Sequence, residues 1–319
     1  MKNINDGNRS PTLDVKDDQI DLINFFLFFW SRKILITIIA SIGVIFFVFY
    51  SLSIPNKYES DSLLAPSTSF QQNSNIGMFN GAASLAGIPL PTSEGSNNLN
   101  LAIEILNSRD FRLRFVHSRN ISVDLVAAID WDKKTRALIY DEEIYDFTNS
   151  KWIARGPNFN EDGPTSQTII DFMSDLISVR KDLETGFVRI SVKHYSPDIA
   201  EKWLFWIIED INETLKNRDL LFATKTKAYL LEQIQKNSIA ELNQVFNDLV
   251  ESQIEKIMLA EVNDEYAFTV IDPPMLPERK SEPNRVKIVL FGSVLSLLLA
   301  MGCAFFHSVF IHRNDSQNG

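Results

Sequence analysis

The sequence predicts an α+β protein: a domain of mixed helices and strands with a long helical projection, flanked by two transmembrane helices. Three observations predict it. Two uncharged apolar stretches, Ile34 to Leu52 and Ile288 to Phe310, lie near the two ends. Each is long enough as a helix to cross a hydrocarbon core of ~30 Å. Short alternating and helical patterns fill much of the region between them. Finally, Asp198 to Asp272 contains neither Gly nor Pro.

The resulting division is a cytoplasmic tail over 1–33, a first span over 34–52, a middle domain over 53–287, a second span over 288–310 and a tail over 311–319. A cleaved signal peptide is not expected, because the region before the first span is too long for an n-region and the apolar run exceeds an h-region. Arg32 and Lys33 precede the first span while only Lys57 follows it closely. That bias puts the N-terminus in the cytoplasm and the middle domain outside. The second span argues the other way, with Arg279, Lys280, Arg285 and Lys287 before it and Arg313 after it. The first span is given more weight, since long loops translocate largely regardless of charge. Asp17 to Trp30 is apolar after an acidic start. It reads either as a juxtamembrane helix in the inner interface or as an extension of the first span.

The formal net charge is -10. In the N-terminal tail, Lys2, Arg9, Lys16, Arg32 and Lys33 balance Asp6, Asp14, Asp17, Asp18 and Asp21, and Arg313 balances Asp315. The middle domain therefore carries the excess acid, which argues against nucleic acid as a partner. The single cysteine, Cys303, lies in the second span, so disulfides and thiol chemistry are not expected in the middle domain.

Along the middle domain, Lys57 to Leu64 reads as a strand. Ser67 to Asn100 reads as a long loop with an apolar centre, Asn100 to Val116 as a helix, and Lys151 to Pro164 as a strand and turn. Thr165 to Val179 reads as a helix. Gly186 to His194 alternates cleanly and reads as a half-buried strand. Ser196-Pro197-Asp198 is a strong helix start. Apolar residues then recur at Ile199, Trp203, Ile207, Ile211 and Leu215, and again at Ile239, Leu242, Phe246 and Leu249. A continuous helix over about 197–262 would be ~100 Å long, and it would have to project or pack against other subunits. The alternative is a set of ordinary helices with a break near Lys216 to Asp219. Tyr266 to Ile271 reads as a strand.

Pro273, Pro274, Pro277 and Pro283 make the following segment extended and stiff, leading through Arg285 into the second span. In that span Gly292, Ser296, Ala300 and Ala304 are spaced four apart, a small-residue stripe that permits close helix approach.

No catalytic, cofactor-binding or metal-ligating set is expected. The phosphate-loop, H-E-x-x-H and G-x-S-x-G patterns are absent. His117 and His194 have no partner at ligand spacing. Asp130-Trp131-Asp132 mimics the D-x-D of some sugar transferases, but nothing around it supports that chemistry. Arg109, Arg112, Arg114 and Arg119 form a locally basic stretch that could meet phosphate or polysaccharide or simply be solvated. The short tail after the second span makes a receptor with an output domain an unexpected reading.

The chain resembles the Wzz family, the O-antigen chain-length regulators also called polysaccharide co-polymerases. The likeness is carried by DDQIDL before the first span, LSIPNKYES after it, GAASLAGI, LAIEILNSRDF, SPDIAEKW, and EVNDEYAFTVIDPPMLPERKSEPNR before the second span. The proline-rich segment is a hallmark of that family. The resemblance implies an inner-membrane protein of a Gram-negative bacterium, with a periplasmic, membrane-proximal α/β base and both termini in the cytoplasm. It implies a homo-oligomeric ring working with a Wzy-type polymerase, with lipid-linked polysaccharide as a candidate partner, and no catalytic residues. The alternative function is an adaptor for capsule or exopolysaccharide export, bridging a cytoplasmic kinase or transporter to an outer-membrane channel. Residues 121–163 match nothing in the family pattern.

Overall fold

The computed structural model describes residues 30, 32–67, 95–236 and 238–315. The expected juxtamembrane segment before Trp30 and most of the long loop after Ser67 lie outside the described residues. The chain divides into two compact units, one formed by its two ends and the other spanning Pro55–Pro283.

The first unit pairs helix α1 (Lys33–Ser53) with the final helix, Arg285–Asp315. Both are long and apolar enough to cross a membrane. Small residues let their backbones meet. A Cβ at Gly43 would lie 2.2 Å from Ser296 Oγ, and one at Gly292 would lie 2.2 Å from the Phe47 ring. Each glycine is thus a notch for a side chain of the facing helix.

The second unit is built on an antiparallel sheet. Strand β1 (Lys57–Pro66) is central. On one side it pairs with the strand Val188–His194, which pairs in turn with Ile177–Lys181. On its other side lie Phe268–Asp272 and the short strand Lys280–Glu282. The strand expected around 186–194 is present, but it is more than half buried: Val188, Ile190 and Val192 are fully buried and Arg189 is exposed, while Ser191 on the opposite face is buried too.

Between β1 and the rest of the sheet come helices α2 (Gly95–Asn107), α3 (Arg109–Ser118) and α4 (Ser122–Val126). Three two-stranded ribbons follow: β2 (Ala128–Asp132) with β3 (Ala137–Tyr140), β4 (Tyr145–Asp146) with β5 (Lys151–Trp152), and β6 (Phe159–Asn160) with β7 (Gly163–Pro164). Helix α5 (Ser166–Leu176) leads into β8 (Ile177–Lys181), which a two-residue-period strand, β9 (Val188–His194), then joins.

Two expectations are corrected here. The helix expected over Asn100 to Val116 is two helices. Ser108 is extended, donates its hydroxyl to Ile105 O and accepts from Phe111 N, so it caps α3 instead of continuing α2. The helix expected to Val179 ends at Leu176, and the next residues become β8 because their edge pairs with β9. Sheet pairing overrides the local pattern there.

The largest correction concerns the long rod. Helix α6 runs over Pro197–Lys236 and helix α7 over Ala240–Val262. The 40 residues of α6 extend ~60 Å, and α7 folds back along it. Lys216 Nζ reaches Asn263 O at 3.4 Å, and Tyr266 donates to Asp219 at 3.0 Å, so the end of α7 returns to the middle of α6. The projection is a helical hairpin, with its break beyond Lys236 and not near Lys216 to Asp219. No Gly or Pro marks the turn; Asn237-Ser238 is the only local signal, two short polar residues that compete with helix.

One half of α6 lies on the sheet. Trp203, Leu204, Ile207, Ile211 and Leu215 are at most 2 % exposed and pack with Leu64, Ile190 and Phe268 in one core. The arm beyond has its own small cluster of Leu230, Phe246, Leu249 and Val250. After α7, strand β10 (Phe268–Asp272) enters the sheet, β11 (Lys280–Glu282) pairs with the start of β1, and α8 (Arg285–Asp315) ends the chain.

Candidate interaction groove and helical arm

Asn212 governs where α6, α7 and β10 meet. It stands on the buried face of α6. Its Oδ1 accepts from Ala267 N and Phe268 N, both at 2.8 Å, and its Nδ2 donates to Phe268 O at 3.1 Å. One amide therefore satisfies the backbone that enters β10 in a site closed to water. An Asn within a run of buried apolar positions is the sequence signal for it. Nearby, Asp219 accepts from Tyr266 and pairs with Arg218 at 3.0 Å. Burial pushes the Tyr266 hydroxyl well above its usual range, and it lowers Lys256.

His194 closes the other end of the core. The ring is 2 % exposed and lies 4.8 Å from the Trp203 ring. Ser196 N donates to Nδ1 at 3.1 Å, so the proton sits on Nε2, facing Asp124 O at 3.3 Å. Burial pushes this histidine down to about 4, and nearby Lys57 adds to the shift. It is a packed, neutral histidine. The Asp130-Trp131-Asp132 motif lies in β2 and its carboxylates bind neighbouring groups of the same ribbon. Asp130 accepts from Trp131 N, and Asp132 accepts from Lys134 N and the Thr135 hydroxyl. Among the described residues, no group of three or more His, Cys, Asp or Glu side chains is placed to hold a metal ion.

Two arginines of the basic stretch around α3, Arg114 and Arg119, are paired with acids. Arg114 pairs with Asp110 at 2.9 Å. Arg112 bonds Ser174 and Asn107, the latter at 3.2 Å. Arg119 reaches across to α6, where it meets Glu209 at 2.6 Å and Asp210. Its guanidinium also lies 5.1 Å from the centre of the Trp206 ring, which Lys202 approaches at 4.6 Å. The Asp210 hydrogen bond, with help from Glu209, holds Arg119 above its usual range. Between α3 and α6 this cross-brace borders a groove of about 1280 Å³. Its polar lining includes Ser118, Glu213, Thr214 and Asn217, and Leu221 lies at its margin. No sequence pattern brings these two segments together, because they are far apart in the chain and meet only through the fold.

The hairpin carries exposed apolar residues. Phe222 and Tyr229, seven apart, share a face of α6, and Ile254, Met258 and Val262, four apart, share a face of α7. Val262 is 81 % exposed.

The ribbons over 128–164 hold themselves together with aromatics. Tyr145 stands between Phe147 and Trp152, with ring centres at 4.8 and 5.0 Å, and Trp152 reaches Phe159 at 6.2 Å. Gly163 has φ 133, and a Cβ there would meet Trp152 Nε1 at 2.7 Å, so the position requires glycine twice over.

The proline segment is extended after β10. Ser62 donates to Asp272 O at 2.6 Å and Ser60 to Met275 O at 2.9 Å, tying the backbone around Pro273 and Pro274 to β1. Pro277 precedes β11, Pro283 follows it, and Arg285 opens α8. The Gly292, Ser296, Ala300 and Ala304 stripe is buried and faces α1 of the same chain, where Ser296 also donates to Gly292 O at 2.7 Å.

The likeness to the Wzz family is borne out by comparison: residues 18–118 match the family model for Wzz, chain length determinant protein. No curated protein sequence matches the chain. Similar solved structures include a full-length bacterial polysaccharide co-polymerase, 12 % identical, covering 92 % of this chain and 99 % of that one with a TM-score of 0.39. Another is a fragment of WzzB, a polysaccharide co-polymerase from Salmonella Typhimurium, 11 % identical, covering 71 % of this chain and 100 % of that one with a TM-score of 0.28. At such scores no geometry carries over from either structure to this chain.

Proposed function

We propose that this Wzz-type chain sets the length distribution of O-antigen on lipopolysaccharide, acting without catalysis of its own beside a Wzy-type polymerase. The observation that carries the reading is the chain-length-determinant match over residues 18–118, which includes α1, β1 and α3. The chain acts in the bacterial inner membrane, with α1 and α8 spanning the bilayer. Residues 53–287 stand in the periplasm and both termini lie in the cytoplasm. Its working form is a homo-oligomeric ring. The exposed apolar stripes of α6 and α7 support self-association, since such stripes on an isolated arm are costly to leave in water.

The deciding experiment is deletion of the gene followed by gel analysis of lipopolysaccharide. The expected result is a broadened, unimodal-to-random ladder of chain lengths, restored by the gene in trans. An unchanged ladder overturns the reading.

A further inference from the structure

The groove between α3 and α6 has a chemical character of its own. Its arginines are already matched: Arg114 by Asp110, Arg119 by Glu209 and Asp210, and Arg218 by Asp219. Such internal pairing leaves little field to attract phosphate or an acidic polymer. What remains are the His117 ring, whose Nδ1 lies against Leu113 O, and hydroxyl and amide groups beside one carboxylate. Glu213, Thr214 and Asn217 sit within one turn of α6, and Glu213 makes no ion pair among the described residues. Ser118, whose hydroxyl donates to Phe115 O, keeps its lone pairs for accepting from the groove. Leu221, 57 % exposed, adds an apolar patch beside these groups.

Hydroxyl, amide and carboxylate next to a small apolar surface match the surface of a sugar ring, which presents hydroxyls around its rim and C–H groups on its faces. The size also fits a polymer. About 1280 Å³ exceeds the ~300–1,000 Å³ of common small-molecule pockets. A second copy of the chain fits less well, because the exposed apolar stripes that would drive such packing lie on the arm, at Phe222, Tyr229, Ile254, Met258 and Val262.

We propose that this groove holds a short stretch of uncharged polysaccharide, with Glu213, Thr214, Asn217 and Ser118 bonding its hydroxyls. The proposal rests on the chain-length reading for the identity of the polymer. The Arg119 cross-brace keeps the two walls at a fixed spacing.

The test uses the full chain in detergent micelles. The probe is size-fractionated neutral polysaccharide, released by mild acid from cells carrying this chain, with polyphosphate as the anionic comparator. Binding is read by saturation-transfer NMR and calorimetry. The expected result is binding of fragments of several sugars and none of polyphosphate. Thr214→Trp, which fills the groove, and the double variant Glu213→Ala with Asn217→Ala should each weaken binding at least tenfold, with melting temperature and oligomer mass unchanged. The proposal is overturned by absence of binding in the wild type, by equal binding in Thr214→Trp, or by a changed oligomer mass in that variant, which would make the groove a contact between copies. A shifted ladder in the gene deletion, found beside absent binding, removes the groove proposal and leaves the regulator reading standing.

Discussion

The two halves of helix α6 live in different surroundings. From Trp203 to Leu215 it lies on the sheet, and its inward residues are essentially without solvent. Beyond Leu220 it has α7 as its companion, and among its apolar residues Phe222 and Tyr229 remain exposed while Leu230 is buried. One helix thus serves two masters. At its root it is a core element fixed by tertiary packing, and along the arm it is half of a hairpin with little buried area. Local stability should follow that gradient, because the free energy of opening a segment tracks the apolar contacts it would lose.

Five measurements break or sharpen this contrast. Ile207→Ala removes a fully buried side chain at the root and should cost about 4 kcal/mol, read as a lowered melting temperature with loss of amide protection in both sheet and arm. Asn212→Ala orphans the Ala267 and Phe268 amides and should cost about 3 kcal/mol, with exchange rising first at β10.

The root should also respond to acid. Unfolded histidine takes a proton near 6.5, and folded His194 only near 4. Between those values the unfolded state binds the extra proton, so stability falls as pH drops through the window, by about 3 kcal/mol in all. His194→Gln should flatten that slope between pH 6.5 and 4, and an unchanged slope would assign the acid response to other groups.

On the arm, Leu249→Ala should cost about 2 kcal/mol and expose α7 amides while the sheet stays protected. Equal loss of protection everywhere would show arm and base to be one cooperative unit. Smallest of all, Phe222→Ser should change melting by no more than about 0.5 kcal/mol while lowering the oligomer mass.

The sequence was most legible where a single period or a single residue type dominated. The two apolar stretches, the alternation of Val188 to Val192 and the cluster of prolines from Pro273 to Pro283 each announce their conformation locally. Elements decided by distant partners were hidden. β8 is a strand because β9 lies beside it, and the arm turns after Lys236 because α7 finds α6, although no glycine or proline marks the place. Ser108 was readable in principle as an N-cap, but the apolar residues on either side of it suggested one helix. The groove was out of reach for the same reason as the sheet: Arg119 and Asp210 meet only after folding. Residues 121–163 yielded least, because two-residue strands held by Tyr145, Phe147 and Trp152 leave almost no periodic trace.

The interlock of Gly43 with Ser296 and of Gly292 with Phe47 has a bearing on any neighbour within the bilayer. Those smooth faces are consumed inside the chain. What the pair offers outward is a ridge of Ile34, Ile38, Ile42, Ile45 and Phe49 on one helix, and Leu290, Phe291, Leu295 and Leu298 on the other. A membrane partner that meets these ridges would therefore have to recognise bulk and branching rather than the two glycine notches. Substitutions that reshape those ridges, and leave the notches alone, are the ones that can alter such recognition without pulling the two helices apart.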